Sequence, residues 1–247
     1  MVAPKVTIAV PSYNQGQFLD EALSSIFEQD LAVEVYVLDG GSTDNSLEIV
    51  EKWRPYLTGY RSFRDDGQAS AINEGISRGT APFVCWLNSD DWLLPGGLTN
   101  LVRAAESNPQ APAVYGRSLN FQQNTGLSSL AWVEPFSERR LAVRCIISQP
   151  ATLIRRCAWE TLGGVDAKLY MAMDYDLWWR LYRRFGPLQL VDELCAVNRV
   201  HDATKTKTQR RRHYREAIGT VRKYYGRVPM KWWLAQPYAV WFKSIFP

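Results

Sequence analysis

Over its first 87 residues, the chain alternates between short apolar runs and segments of helical periodicity. Apolar, largely β-branched runs at 5–10, 33–38, 59–63 and 83–87 predict four strands. Between them apolar residues recur at helical spacing, and we expect Ser42 or Thr43 to cap the second helix and Asp66 the third. Strands joined by such helices pair in parallel. The sequence therefore predicts an α/β fold with a mostly parallel central sheet flanked by helices.

Polar residues follow each of the four predicted strands where the chain leaves the sheet. In chain order they are Tyr13 and Asn14, Asp39, Asp65 and Gln68, and the adjacent pair Asp90 and Asp91. The carboxyl ends of parallel strands meet at one edge, which is where open α/β sheets bind ligands. Two adjacent carboxylates repel each other there unless a cation is present, and they suit Mg²⁺ or Mn²⁺ shared with a substrate's phosphates. The pattern predicts a metal–phosphate site.

Some of these residues also have a simpler structural interpretation. Asp39 precedes Gly40 and Gly41, and an aspartate in that position commonly stabilises a turn. The pair Asp90 and Asp91 is also compatible with a capped surface turn. Because four consecutive strand ends carry polar groups, a shared binding site explains the pattern better than four separate turns.

Length, charge and cysteine spacing narrow the class of protein. At 247 residues, the chain is long enough for one domain with an appendage. From residue 200 on, eleven Lys and Arg residues stand against two acidic residues, so the tail suits an anionic surface. The four scattered cysteines form no CxxC pair, which indicates neither zinc nor a disulfide framework. A P-loop is excluded because the chain has no GxxxxGKS/T motif, and no segment reaches the roughly 18 apolar residues of a membrane span. We therefore expect a cytoplasmic protein.

Taken in order, the motifs of this chain are more specific than any one of them alone. They are VPSYN at 10–14, DGGSTD at 39–44, DDGQASAINEG at 65–75, LNSDD at 87–91, QP at 149–150, GGVD at 163–166, DYDLW at 174–178 and RVH at 199–201. In this order the chain resembles the family-2 inverting glycosyltransferases with the GT-A fold, of the bacterial surface-polysaccharide type. The resemblance covers about residues 5–205. It implies a nucleotide-diphospho-sugar donor.

The resemblance assigns a role to each polar strand end. Asp39 would read the pyrimidine of a UDP- or dTDP-sugar, beside three residues of the first strand end, Pro11, Tyr13 and Asn14. Asp65 and Gln68 would line the base or ribose, and Asp90 would face the ribose and phosphates. Asp91 would ligate Mn²⁺ or Mg²⁺, with His201 as a second metal ligand or a diphosphate contact. A lone histidine after a strand is by default a solvated loop residue, and this alternative stays open for His201.

Inversion also needs a base for the attacking hydroxyl, and the resemblance implies Asp174. The alternative role for Asp174 is a helix N-cap, and we expect Asp176 to orient Arg180 across one helical turn. The sequence departs from many relatives in two places. Met173 precedes the base where they carry Glu, and Asn88 stands where some carry Asp.

The division of the chain follows from these assignments. We expect a GT-A domain at 1–204, with a nucleotide-binding half at 1–110 and an acceptor-binding half at 111–204. A basic and aromatic helical segment at 205–247 would contact an anionic membrane surface or a second subunit, or pack back onto the domain. Nucleic-acid binding would not explain its apolar, Trp-rich end.

The expected function is metal-dependent transfer of a sugar to a hydroxyl of a lipid-linked saccharide in polysaccharide biosynthesis, by a peripheral protein on the inner face of the cell membrane. Two alternatives remain open from the sequence. One is a nucleotidylyltransferase, although residues 11–16 lack its Gly-rich phosphate loop. The other is a nucleotide-sugar-binding module without catalysis, which the presence of both Asp91 and Asp174 disfavours.

Overall fold

A computed structural model describes residues 2–236 of the chain. The aromatic end of the predicted membrane segment, including Trp241 and Phe242, lies outside the described residues.

The first half of the fold follows the predicted alternation. Its elements are β1 (Val6–Ser12), α1 (Gly16–Phe27), β2 (Val33–Asp39), α2 (Ser46–Trp53), β3 (Gly59–Ser62), α3 (Gln68–Arg78) and β4 (Phe83–Trp86). The four strands lie in the order β3-β2-β1-β4, and every neighbouring pair among them is parallel. Their carboxyl ends therefore meet at one edge of the sheet, as the sequence predicted.

Two predicted helix caps are wrong. Helix α2 begins at Ser46 after Asn45, so neither Ser42 nor Thr43 caps it. Helix α3 begins at Gln68 after Gly67 at φ 103°, so Asp66 does not cap it either. The cause is local, because the residues after each strand first form a turn around a carboxylate. Ser42 N–H donates to Asp39 at 2.9 Å, and Gly67 N–H donates to Asp65 at 2.8 Å.

The second half of the fold mixes strand directions. Its elements are β5 (Trp92–Leu93), α4 (Gly97–Ser107), β6 (Ala113–Gln122), β7 (Leu127–Leu130), α5 (Glu138–Val143), β8 (Thr152–Arg155), α6 (Arg156–Leu162), α7 (Met173–Phe185), β9 (Gln189–Val200), α8 (Lys205–Thr208), α9 (Arg210–Tyr225) and α10 (Met230–Gln236). The sheet continues from β4 as β8-β6-β9-β5, with β7 paired to β6.

Only the β6–β9 pair is parallel in this half, so the prediction of a mostly parallel sheet holds for β1 to β4 and not beyond. The reason is that β8 enters between β4 and β6 from the short 3₁₀ turn Gln149–Ala151 rather than from a crossover helix. The α/β fold class with helices flanking a central sheet is confirmed.

Apolar side chains cover both faces of the sheet. Ile8 and Val10 of β1 pack on the face covered by α1 and α4, whereas Ala9 between them packs on the face covered by α3 and α7. Trp178 and Trp179 of α7 are both fully buried on the second face, and Trp178 stacks on Trp86 with ring centroids 6.1 Å apart. Both tryptophans therefore belong to the core of the domain.

The helices after residue 205 pack back onto the domain. Ala217, Ile218 and Val221 of α9 belong to the same apolar cluster as α7. Trp232 of α10 is buried there too, and its Nε1–H donates to the Ala142 carbonyl at 2.8 Å. Packing onto the domain is thus what the described part of this segment does. Between residues 2 and 236, none of the helices has the length and apolar content needed to cross a bilayer.

Candidate active site

The loops that follow β1 and β2 are joined by hydrogen bonds. Asn14, at φ 51°, accepts from Thr43 N–H at 2.8 Å and donates its own N–H to Ser42 Oγ at 2.7 Å. Asp44 accepts from Gly16 N–H at 2.9 Å. Asn14 therefore shapes the strand edge through its side chain, while Pro11 lies within β1 opposite Leu38.

Asp39 is almost fully buried and holds the turn after β2 together. Its carboxylate accepts from the Ser62 hydroxyl at 2.6 Å, from the Gly41 N–H at 3.1 Å and from both the N–H and the hydroxyl of Ser42. The turn-stabilising interpretation therefore describes what Asp39 does in this structure. Contact with a pyrimidine stays a prediction.

Tyr13 and Asp65 lie close together beside this turn, on either side of Gly40. A Cβ atom added to Gly40 would lie 3.3 Å from the Tyr13 ring and 3.6 Å from Asp65 Oδ1. The Tyr13 ring is 63% exposed, so one aromatic surface remains available to a planar ligand. The structure thus brings Tyr13 and Asp65 together, as the sequence predicted.

Arg61 on β3 is a buried residue of this region that sequence reasoning missed. Its guanidinium contacts Asp65 at 2.8 Å, Glu74 at 2.9 Å and the Asp39 carbonyl at 2.6 Å. Burial alone lowers the pKa of Arg61, but the hydrogen bonds to Glu74 and Asp65 outweigh it and raise the pKa above its ordinary value. Arg61 thereby fixes the position of Asp65 beside Gly40 and Tyr13.

A chain of side-chain amides crosses from α3 to the end of β4. Gln68 Nε2 donates to Asn88 Oδ1 at 2.7 Å, and Asn88 Nδ2 donates to Asp91 at 3.1 Å and to Gln149 at 3.1 Å. Gln149 in turn donates to the Trp86 carbonyl at 2.7 Å. Asn88, a departure from the more acidic motif, therefore serves as a donor that orients the acidic pair, a role that an ionised aspartate would not fill.

The two adjacent aspartates occupy different environments. Asp91 is buried, and its two oxygens accept from Arg199 N–H at 2.9 Å and from Asn88. Burial first, and then the charge of Asp90, hold the pKa of Asp91 well above its ordinary value. The Asp90 side chain is 21% exposed, and its Oδ2 lies 3.1 Å from Nε2 of the buried His201. Asp90, not Asp91, is thus the more exposed carboxylate of the pair, and it lies beside His201.

Arg199 at the end of β9 holds this arrangement in place. Its Nε donates to the Asp90 carbonyl at 2.9 Å, one terminal nitrogen donates to Gln123 at 2.5 Å, and the other forms an ion pair with Glu21. The guanidinium also lies over the aromatic rings of Phe18 and Trp92, at 4.7 and 4.4 Å from their centroids. The sequence analysis assigned a role to His201 of the RVH motif but none to Arg199.

Asp90 and His201 fit a divalent cation that is shared with a diphosphate. An oxygen and a nitrogen donor converge at the strand edge, and both types of atom ligate Mn²⁺. No group of three or more His, Cys, Asp and Glu residues suited to a metal occurs among residues 2–236. Two protein donors would leave positions for phosphate oxygens and water, which is the usual arrangement for Mg²⁺ at phosphate sites.

Asp174 is the second residue of α7, and Ala172 occupies the N-cap position instead. Asp174 accepts from Tyr175 N–H at 2.7 Å. Burial raises the pKa of this carboxyl to about 6, against the lowering effect of that hydrogen bond. A base works best when its pKa lies near the working pH.

The start of α7 is held by the C-terminal segment. Glu216 of α9 accepts from Met171 N–H at 2.7 Å and from Ala172 N–H at 3.1 Å, so a carboxylate from another helix satisfies backbone groups at this helix end. Glu216 is itself paired with Arg212 at 2.8 Å. The position of Asp174 therefore depends on α9.

The glycine turn before α7 is fixed from two sides. Gly163 and Gly164 both have positive φ, and Asn73 of α3 pairs with both backbone polar groups of Val165, at 2.9 and 3.0 Å. Arg180 donates to the Gly164 carbonyl at 2.8 Å and pairs with the buried Asp176 at 2.6 Å. Asp176 thus orients Arg180 as expected.

The sheet order and the position of the acidic strand edge fit a nucleotide-diphospho-sugar transferase type of fold. Comparison with known proteins agrees. The model of the family described as Glycosyl transferase family 2 matches residues 7–157. The chain therefore belongs to glycosyl transferase family 2, which confirms the resemblance.

Three known proteins illustrate the similarity. The chondroitin synthase of Pasteurella multocida is 26% identical over 218 residues, which are 85% of this chain but 22% of that protein. The structure of S. aureus TarS 1-349 in complex with UDP has a TM-score of 0.71 at 18% identity and covers 98% of this chain and 74% of that one. The mannosyltransferase PcManGT from Pyrobaculum calidifontis, in complex with GDP-Man and Mn²⁺, has a TM-score of 0.71 at 21% identity, covering 99% and 74%.

The share of each known protein that the chain covers limits what the comparison shows about function. The chain spans about a fifth of the length of the chondroitin synthase that it matches. The two solved structures support the GT-A fold.

The role of Arg199 leads to a prediction about stability. Arg199→Lys replaces a planar group with five donors by a single ammonium, which cannot satisfy the Asp90 carbonyl, Gln123 and Glu21 together. We expect the free energy of unfolding to fall by about 2–3 kcal/mol, because hydrogen bonds to charged groups are lost in a buried place.

Urea denaturation followed by circular dichroism measures this change. Arg184→Lys, at an exposed position of α7, is the matched control and should stay within about 0.5 kcal/mol of the original chain. Equal stability of the two variants would contradict a structural role for Arg199.

Proposed function

We propose that this chain is a metal-dependent inverting glycosyltransferase that moves a sugar from a UDP- or dTDP-sugar to a hydroxyl of a lipid-linked saccharide in polysaccharide biosynthesis. The observation that carries the proposal is the pairing of Asp90 with His201 at the strand edge, on a domain that also holds a carboxyl group of pKa about 6 at Asp174. A metal–diphosphate site and a base are the two parts that this reaction requires.

The nucleotide would lie across the ends of β1 to β3. The exposed Tyr13 ring offers a stacking surface for the base, and Asp39, Asp65 and Gln68 supply polar groups beside it. Neighbour structures contain UDP and GDP-Man, which supports a nucleotide donor without selecting the base. A pyrimidine stays in the proposal because the resemblance implies that Asp39 reads an imide N–H, in addition to the turn that its carboxylate holds.

The metal role is assigned differently from the sequence prediction. Asp91 was expected to ligate the metal, but both of its oxygens accept hydrogen bonds from within the protein. We assign Asp90 and His201 as the ligands and Asp91 as the residue that anchors the turn to β9. When bound, Mn²⁺ or Mg²⁺ would neutralise charge that develops on the departing nucleoside diphosphate.

Asp174 would accept the proton of the attacking hydroxyl. Direct displacement at the anomeric carbon forms one bond to the acceptor oxygen as the bond to the diphosphate oxygen breaks, so the configuration inverts. The acceptor proton passes to the Asp174 carboxylate, and the electron pair leaves with the diphosphate. The glycine turn at 163 and 164 lets backbone approach the donor sugar closely.

The exposed apolar residues of α10 support a location at a membrane surface. Met230 and Leu234 are 74% and 71% exposed and Trp233 is 47% exposed, while Arg227 and Lys231 flank them. Apolar residues beside cations suit an anionic membrane surface, which would bring a lipid-linked acceptor to the enzyme. We therefore propose peripheral binding to the inner face of the cell membrane.

The metal assignment is tested by thermal shift with UDP and Mn²⁺. Ligand binding raises the apparent melting temperature. We expect Asp90→Asn to lose the Mn²⁺-dependent part of the shift, because an amide is a much weaker metal ligand than a carboxylate. Asp91→Asn should keep it. The reverse result would restore Asp91 as the ligand.

The base assignment predicts a pH dependence. A base must be deprotonated to act, so kcat/KM should rise with pH and level off above the Asp174 pKa of about 6. Asp174→Asn should lose roughly 100-fold or more in turnover and keep donor binding. Transfer measured with a saccharide acceptor checks both.

Two outcomes of that experiment would change the interpretation. Normal transfer by Asp174→Asn would remove Asp174 as the base. An unsubstituted chain that binds UDP-sugar but never transfers it, with any acceptor, would favour the alternative of a non-catalytic module.

The membrane proposal is tested by flotation with vesicles that contain phosphatidylglycerol. The double change Trp233→Glu and Leu234→Glu should release the full chain from the vesicles, because it places charge on the exposed apolar face. Tyr56→Glu, at an exposed position on the loop after α2, is the control and should float like the original. Equal flotation of both variants would reject α10 as the contact.

A further inference from the structure

Lys205, the first residue of α8, reaches into the donor side of the site. Its ammonium donates to Gln68 Oε1 at 2.7 Å and lies 4.4 Å from the centre of the Tyr170 ring. Burial lowers the pKa of Lys205, and the charge of nearby Asp90 acts against this effect. Nothing in the sequence singled this lysine out from the other basic residues of the tail.

A tight turn fixes Lys205 relative to the proposed metal ligand. His201 N–H donates to Thr204 Oγ1 at 2.9 Å, and Thr204 N–H donates back to the His201 carbonyl at 3.1 Å. Lys205 follows directly, so His201 and Lys205 are held on one short, closed piece of backbone. The same turn therefore brings both the His201 ring and the Lys205 ammonium to the strand edge.

We infer that Lys205 binds the diphosphate of the donor and stabilises the charge of the leaving nucleoside diphosphate. The inference rests on the proposed function and adds to it a cation contributed by the C-terminal segment.

The contacts of Lys205 favour a ligand role over a structural ion pair. Among the described residues its ammonium donates to one neutral amide oxygen, Gln68 Oε1, and to no carboxylate. Two of its three N–H groups thus have no acceptor from this part of the chain, at a half-buried position. An anion that enters beside Asp90 and Gln68 would supply these acceptors.

Tyr170 keeps the lysine oriented before a ligand arrives. The Lys205 ammonium lies 4.4 Å from the centre of the Tyr170 ring, and the Arg212 guanidinium lies 4.2 Å from it. Because Arg212 also pairs with Glu216, which holds the start of α7, one connected set of contacts links the donor edge to the base-bearing helix. A preorganised cation at a leaving group contributes to catalysis without reorganisation.

The test compares ligands that differ only in phosphate content. Affinities of uridine, UMP and UDP, and of the thymidine series, are measured by calorimetry with Mn²⁺ for the full chain and its Lys205→Gln, Lys205→Arg and Lys207→Gln variants. Lys207 is also on α8, pairs with the exposed Asp202, and serves as the matched control.

We expect Lys205→Gln to weaken UDP binding by about tenfold or more, since a charge-assisted hydrogen bond is lost, and to leave uridine binding unchanged. Lys205→Arg should recover most of the UDP affinity, and Lys207→Gln should match the original chain.

The outcomes separate this inference from the proposed function. If the original chain binds no nucleoside diphosphate of either series, both fail. If it binds UDP and Lys205→Gln binds UDP equally well, only the role of Lys205 is overturned. A loss of uridine and UDP affinity by the same factor would also overturn it, because that pattern belongs to a structural residue.

Discussion

The contact on which the site depends is the one between Arg199 and the turn at Asp90 and Asp91. Arg199 fastens this turn to β9 twice, through its backbone N–H to the Asp91 carboxylate and through its side chain to the Asp90 carbonyl. A buried guanidinium is costly unless its donors are satisfied, and Glu21, Gln123 and three aromatic rings complete its surroundings. With the turn held in this way, one aspartate faces inward and the other faces His201.

This division resolves the electrostatic problem of two adjacent carboxylates. Asp91 is buried, and burial followed by the charge of Asp90 raises its pKa, whereas the Asp90 side chain remains partly exposed beside His201. The amides of Gln68, Asn88 and Gln149 surround the pair with neutral groups and avoid further negative charge. The arrangement is suited to hold a metal together with a diphosphate, which brings its own negative charge.

Sequence reasoning succeeded where the signal is local or periodic. The four parallel strands, the position of the acidic edge and the family could all be read from apolar periodicity and ordered motifs. It failed at the caps of α2 and α3, because the Asp39 and Asp65 carboxylates capture nearby backbone N–H groups first. It also missed Arg61, Arg199 and Lys205, since a basic residue gives no sign in the sequence of the distant groups that it will contact.

The sequence by itself determined which residues lie at the strand edge, since the carboxyl ends of parallel strands must meet there. Only the tertiary structure decided which aspartate faces the ligand, because this depends on a hydrogen bond from β9, 108 residues away. It likewise decided that the described part of the basic tail packs on the domain and reaches the site. Burial of Trp232 and the contacts of Glu216 and Lys205 require surfaces that exist only after the sheet and α7 have formed.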